Sequence, residues 1–191
     1  MIVAALPKVT ARTAAELLTD LDIEEPARSL LRNGATPPQF LQALVEKSMT
    51  DDAVKFLARA LPKREAIWWG CQCAKAVVDN TASPEEQAAL RAAEKWTQDP
   101  SDDNRRAAMT AANASAGGPG KFVACAVFFS GGSLAPANCP VVVPPENVTG
   151  KFVAGAVVLA SVMREPQKKA EKITKFVTQG VEIGNGRGLW K

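Results

Sequence analysis

A protein without histidine or tyrosine has few ways to run acid–base chemistry, and none of the 191 residues of this chain is either. That removes a histidine base, a histidine metal ligand and a tyrosine acid or nucleophile. Carboxylates come in neighbouring pairs: Glu24 and Glu25, Asp51 and Asp52, Glu85 and Glu86, Asp102 and Asp103. Each pair falls at or near the start of a predicted helix, where the macrodipole favours negative charge, so capping accounts for them without a catalytic role. The cysteines are Cys71, Cys73, Cys125 and Cys139. Residues two apart on a helix face about 200° apart, so Cys71 and Cys73 cannot hold one ion between them. We expect reduced, buried thiols, with no structural metal and no cofactor. The glycines at 131–132 and 184–188 lack the lysine and the strand of a phosphate loop, and no G-x-S-x-G elbow occurs. A small enzyme using carboxylates and lysine is the last of the alternatives; the chemistry favours no enzyme at all.

Residue types suited to recognition are easier to find. Residues 61–71 read LPKREAIWWGC. On a helix Trp68 and Trp69 diverge by about 100°, so one extends the core stripe of Ile67, Cys71, Ala74 and Val78 while the other lies at its margin. Arg64, one turn earlier, is placed to stack on Trp68. A predicted last helix carries Lys168, Lys172 and Lys175 on one face with Lys169 beside them, opposite Ile173, Phe176, Val177 and Val181. Trp190 follows a glycine-rich tail and must either fold back or dock on another protein. The candidate partner-binding residues are therefore Arg64, Trp68, Trp69, Lys168, Lys172, Lys175 and Trp190. A net charge of +3, divided as −2 over residues 1–100 and +5 over 101–191, is too weak to argue for nucleic acid.

The elements that position these residues are helices. Alanine, the best helix former, occurs 33 times. Ser83 before Pro84 and Glu86, Thr36 before two prolines, and Ser101 before two aspartates mark helix starts. Periodicity and breakers predict helices at 12–21, 26–32, 37–48, 50–60, 62–79, 84–97, 101–115, 120–129, 146–164 and 167–182. The only β-branched run is Val141-Val142-Val143, between Pro140 and Pro144, inside a Gly/Pro-rich stretch at 130–145 that reads as a mobile loop. A glycine-rich breaker at 116–120 suggests a C-terminal subdomain from about 117 within a single all-α bundle of eight to ten short helices. Residues 120–127 and 150–157 match at seven of eight positions, as either a duplicated helical-hairpin unit or two buried helices with similar packing needs would give. The longest uncharged apolar run, 152–163, is short of the roughly 20 residues of a membrane span. It predicts that the helix at 146–164 is the most buried, in a cytoplasmic protein.

Three blocks carry a resemblance: ARTAAE at 11–16, TPPQFL at 36–41 and FLARALPKREAIWW at 56–69. They resemble an uncharacterised family of small helical bacterial proteins often encoded beside type VI secretion genes. The likeness covers about the first 100 residues, with LPKREAIWW its most specific part. It implies an accessory role and defines no catalytic residue. The expected function is a non-enzymatic adaptor or chaperone that binds a type VI secretion component or effector in the bacterial cytoplasm. An immunity protein inhibiting a secreted effector is the alternative. The oligomeric state stays open.

Overall fold

In a computed structural model, residues 3, 5–136 and 138–190 are described. Among the described residues about 62% are helical and no strand occurs. The helices are α1 (Ala14–Leu18), α2 (Glu25–Arg28), α3 (Pro37–Glu46), α4 (Thr50–Ala60), α5 (Lys63–Lys75), α6 (Pro84–Gln98), α7 (Asp102–Ala114), α8 (Pro119–Phe128), α9 (Val148–Val162) and α10 (Lys169–Gly184), with a 3₁₀ turn at Pro166–Lys168. Local sequence sets their starts. The Ser83 and Ser101 hydroxyls accept from the third residue of α6 and α7, and Thr36 and Gln39 form a capping box on α3.

Helices α6, α7 and α8 form one mutually packed group, and α3, α4 and α10 lie on the other side. Helices α5 and α9 run between them, α5 touching α6, α8, α9 and α10, and α9 touching α4, α5, α8 and α10. The core is continuous from Val3 to Ile183. The predicted stripe of Ile67, Cys71, Ala74 and Val78 is buried, and Trp69 extends it with no exposure at all. Trp69 donates its indole N–H to Phe176 O at 2.7 Å. A Cβ on Gly180 would come within 2.8 Å of the Trp69 ring, so the glycine is what lets α10 close over it.

The matching stretches at 120–127 and 150–157 pack against each other as α8 and α9. Their one mismatch has a steric reason: a Cβ at Gly155 would sit 2.8 Å from the Phe122 ring, where Cys125 holds the equivalent place in α8. Helix α9 is not the most buried helix. Every residue of α8 is at least partly covered, whereas α9 exposes Lys151 and leaves Phe152, Val158 and Leu159 half-buried. Its seven-residue core face is wide enough for α4, α5, α8 and α10, and Val158, with Ala154 and Gly155, lines an open groove of about 380 Å³ shared with Leu21 and Lys55.

Candidate functional site

The four carboxylate pairs do lie at helix starts, Glu24 as the N-cap of α2 and the others in first turns. Two members do more than the local sequence announces. Glu86 is buried, and its carboxylate accepts from Gly120 N–H at 2.6 Å, Lys121 N–H at 3.2 Å and the Ser115 hydroxyl at 2.9 Å. It therefore caps the N-terminus of α8 from another helix, and the glycine-rich stretch at 116–120 is the tight turn that lets it in. Asp52 is also buried and pairs with Lys55 at 3.4 Å. Cys71, Cys73 and Cys125 are buried, and burial pushes all three thiols up, away from thiolate reactivity. Cys139 departs from the expectation of buried thiols: it is exposed, because its loop turns outward past Pro136. Among the described residues no group of three or more acidic or cysteine side chains gathers around a common point.

The aromatic–arginine cluster forms, with different partners from those the spacing suggests. Arg64 does not stack on Trp68. Its guanidinium lies 4.0 Å from the Trp190 ring centroid, and its nitrogens donate to Thr97 O at 2.8 Å and Gln98 O at 3.2 Å. Those carbonyls end α6, so Arg64 neutralises a helix C-terminus. Trp68 is half-buried, donates to Gly188 O at 2.7 Å and meets Trp190 edge-on with centroids 6.2 Å apart. Trp190 thus folds back, and the three side chains clasp the tail onto α5. The polar groups of Arg64 and Trp68 are already partnered. Trp69 is a core residue and presents nothing to a partner, a correction that follows from the 100° divergence of neighbours on a helix.

The lysine face is separate and largely paired within the fold. Lys168 and Lys172 bind Glu165, Lys172 also donates to Met163 O at 2.8 Å, and Lys169 meets Asp51 at 2.7 Å. The Lys168 ammonium in turn holds the Glu165 carboxyl below its usual range. Lys175 is exposed and forms no ion pair among the described residues. These lysines lie at and along the first half of α10, whereas the Trp68–Trp190 clasp joins α5 to the tail beyond its C-terminal end. The seven candidate residues do not make one surface.

What sequence reasoning did not select lies in the stretch at 130–145. Its first half is tied down by hydrogen bonds from α7. Arg105 is buried and donates to Asp102 at 2.8 Å, Phe128 O at 2.8 Å and Ser133 O at 2.8 Å, with its guanidinium 4.9 Å from the Phe128 ring centroid. Arg106 adds Ala135 O at 3.0 Å and the other Asp102 oxygen at 2.8 Å. Those two arginines, Arg106 first, keep the Asp102 carboxyl below its usual range, so the anchor stays charged. On this platform Leu134 N–H donates to Val142 O at 2.8 Å and Val142 N–H to the Ser133 hydroxyl at 3.2 Å. The result is an outward display: Val141, Val142 and Val143 are 74%, 50% and 74% exposed, the only exposed large apolar side chains among the described residues. The signal was present as the one β-branched run between prolines; what hid its importance was the distance in sequence to Arg105 and Arg106. Ala137, inside the same stretch, lies outside the described residues.

This architecture from α3 onward coincides with a family match over residues 40–184, to a family of unknown function (DUF6931). The chain belongs to that family. The match takes in the LPKREAIWW block, Glu86, Arg105 and the three valines, and stops short of Trp190. No curated protein and no solved structure matches the chain.

Proposed function

We propose that the protein is a non-enzymatic binding module, an adaptor or chaperone, whose contact surface is the Pro-bracketed segment at 140–144. One observation carries the reading: three consecutive valines stand in water on a segment pinned to a buried arginine. Each buried valine is worth about 1.5 kcal/mol or more, so leaving three exposed together forgoes stability that a partner would recover. Beta-branched residues between prolines also leave the segment little conformational freedom to lose on binding. The first partner to try is a protein, and the sequence resemblance makes it a type VI secretion component or effector in the bacterial cytoplasm. No helix among the described residues is long and apolar enough to cross a membrane.

The test compares capture by the wild-type protein with capture by a Val141→Asp/Val143→Asp variant. Both side chains are exposed, so the variant should melt like wild type. A protein retained by the first and lost by the second supports the reading. An identical captured set from both refutes it.

A further inference from the structure

The backbone of this segment is as informative as its side chains. Val142 turns both its N–H and its C=O toward residues 133 and 134. In extended chain the groups of successive residues point to opposite sides. Val143 is held extended by Pro144, and the β-branched residues before it favour the same conformation. The N–H and C=O groups of Val141 and Val143 therefore face outward, and none has a hydrogen-bond partner among the described residues. The segment is a short open strand edge.

The sequence of that edge reads Pro140-Val141-Val142-Val143-Pro144, the same in both directions. We propose that a second copy of this chain occupies it, the two edges pairing antiparallel about an axis through Val142. Val141 then lies opposite Val143 of the second copy, and the outward groups of both residues form two hydrogen-bonded pairs, four bonds in all. Val142 faces its own counterpart in the non-bonded position between them. Each proline falls opposite a proline at a position whose N–H would point inward, so neither interrupts the ladder. The ladder also stops itself. Cys139 N–H is already committed to Pro136 O at 3.0 Å, and Pro145 has no N–H. A self-complementary edge that ends after four bonds gives a closed two-fold dimer and not a growing sheet. Such an edge buries far less than the roughly 1,000 Å² of a stable interface, so the pairing is weak and concentration-dependent. This inference rests on the reading of 140–144 as the contact surface and names its occupant when no other protein is bound.

Sedimentation equilibrium of the wild-type chain between about 10 µM and 1 mM should show the mass rising toward twice the monomer. Val141→Pro removes an outward N–H from each copy and should abolish the rise, whereas Val141→Thr keeps the N–H and the branched shape and should preserve it. Neither changes a bond inside the fold, so melting temperatures check that both fold. Covalent capture fixes the register. In a Cys139→Ser background, Val142→Cys places two sulfurs on residues about 4.5 Å apart at Cα and should form a disulfide-linked dimer under mild oxidation. Val141→Cys, whose counterpart lies about 7–8 Å away, should do so at least about tenfold more slowly. A monomer at every concentration with no covalent dimer overturns the pairing, while loss of capture in the Asp variant would still support the contact surface. Equal cross-linking at 141 and 142 overturns the register and with it the proposal.

Discussion

Glu86 offers the sharpest energetic test, because one buried carboxylate holds three donors from a turn 29 to 35 residues away. Glu86→Ala strands the Gly120 and Lys121 N–H groups in the first turn of α8 and frees the Ser115 hydroxyl. Loss of an N-cap costs about 0.5–2 kcal/mol, and each hydrogen bond to a charged acceptor about 1.5–3 kcal/mol. Water can reach part of the turn, so the expected loss is about 3–4 kcal/mol rather than the full sum. At roughly 2–4 °C per kcal/mol for a chain of this size, the melting temperature should fall by about 6–15 °C. Glu86→Gln keeps one acceptor for Gly120 but turns an NH₂ toward Lys121, and should lose only about 1–2 kcal/mol. Coupling gives the decisive reading. A Cβ at Gly118 collides with Glu86 Oε1, whereas one at Gly120 lies 2.7 Å from the Glu86 backbone oxygen. Removing the Glu86 side chain relieves the first clash and not the second. Urea denaturation should therefore show Glu86→Ala and Gly118→Ala to be less than additive, with the left-handed φ of +116° at Gly118 as the residue of the cost. Additive losses at Gly118, or a Glu86→Ala variant that melts within about 2 °C of wild type, would refute the capping argument.

The two neighbouring tryptophans should separate cleanly in thermal melts. Trp69→Ala, which empties a fully buried site and removes the indole bond to Phe176 O, is expected to cost about 3–5 kcal/mol, whereas Trp68→Ala releases the tail and should cost about 1–2 kcal/mol. Equal losses would show that the clasp is as deeply packed as the core. The Arg164 guanidinium, bonded to Asp79 at 2.5 and 2.6 Å, holds that carboxyl well below the usual range, with Thr81 assisting. A lowered native pKa gives a contribution that is complete above the unfolded value near pH 4 and fades as pH falls further. The melting-temperature gap between wild type and Arg164→Gln should thus be constant from about pH 5 to 8 and narrow below about pH 4; a gap that widens in acid would reverse the sign.

The helices were readable because their signals are local. Ser83, Ser101 and the prolines opening α3, α6 and α8 act within one turn of themselves, and α3, α6, α7 and α8 begin within one residue of the predicted starts. Helix ends were read too generously, as at α5, where periodicity runs to Val78 but the helix stops at Lys75 because Ala76 and Val77 bond back to Cys73 O and Ala74 O in tighter turns. The candidate site was less readable, for the opposite reason. Arg64 and Trp190 meet across 126 positions, and Arg105 reaches Ser133 across 28. Nothing in the spacing of arginines or aromatics specifies such pairings; they depend on which helices lie side by side.

A single rule does connect the long-range polar contacts. Several of the charged side chains that reach across the fold serve the end of an element other than their own: Glu86 the start of α8, Arg64 the last carbonyls of α6, Arg105 the last carbonyl of α8, and Lys172 the residue that closes α9. Short helices make this necessary, because each adds eight unpaired backbone groups whatever its length. A bundle of ten short helices consequently draws much of its charge into structure. Arg64 and Lys172, which resemble binding residues in the sequence, are already engaged, and so are the indole N–H groups of Trp68 and Trp69. Apart from exposed charges such as Lys175, the surface left unengaged on a fixed platform is apolar. It is the outward backbone and side chains of Val141 and Val143, set on an arginine platform whose other contacts are complete. Recognition by this protein is accordingly expected at an apolar strand edge, where, among the described residues, exposed large apolar side chains and open backbone hydrogen-bonding groups occur together.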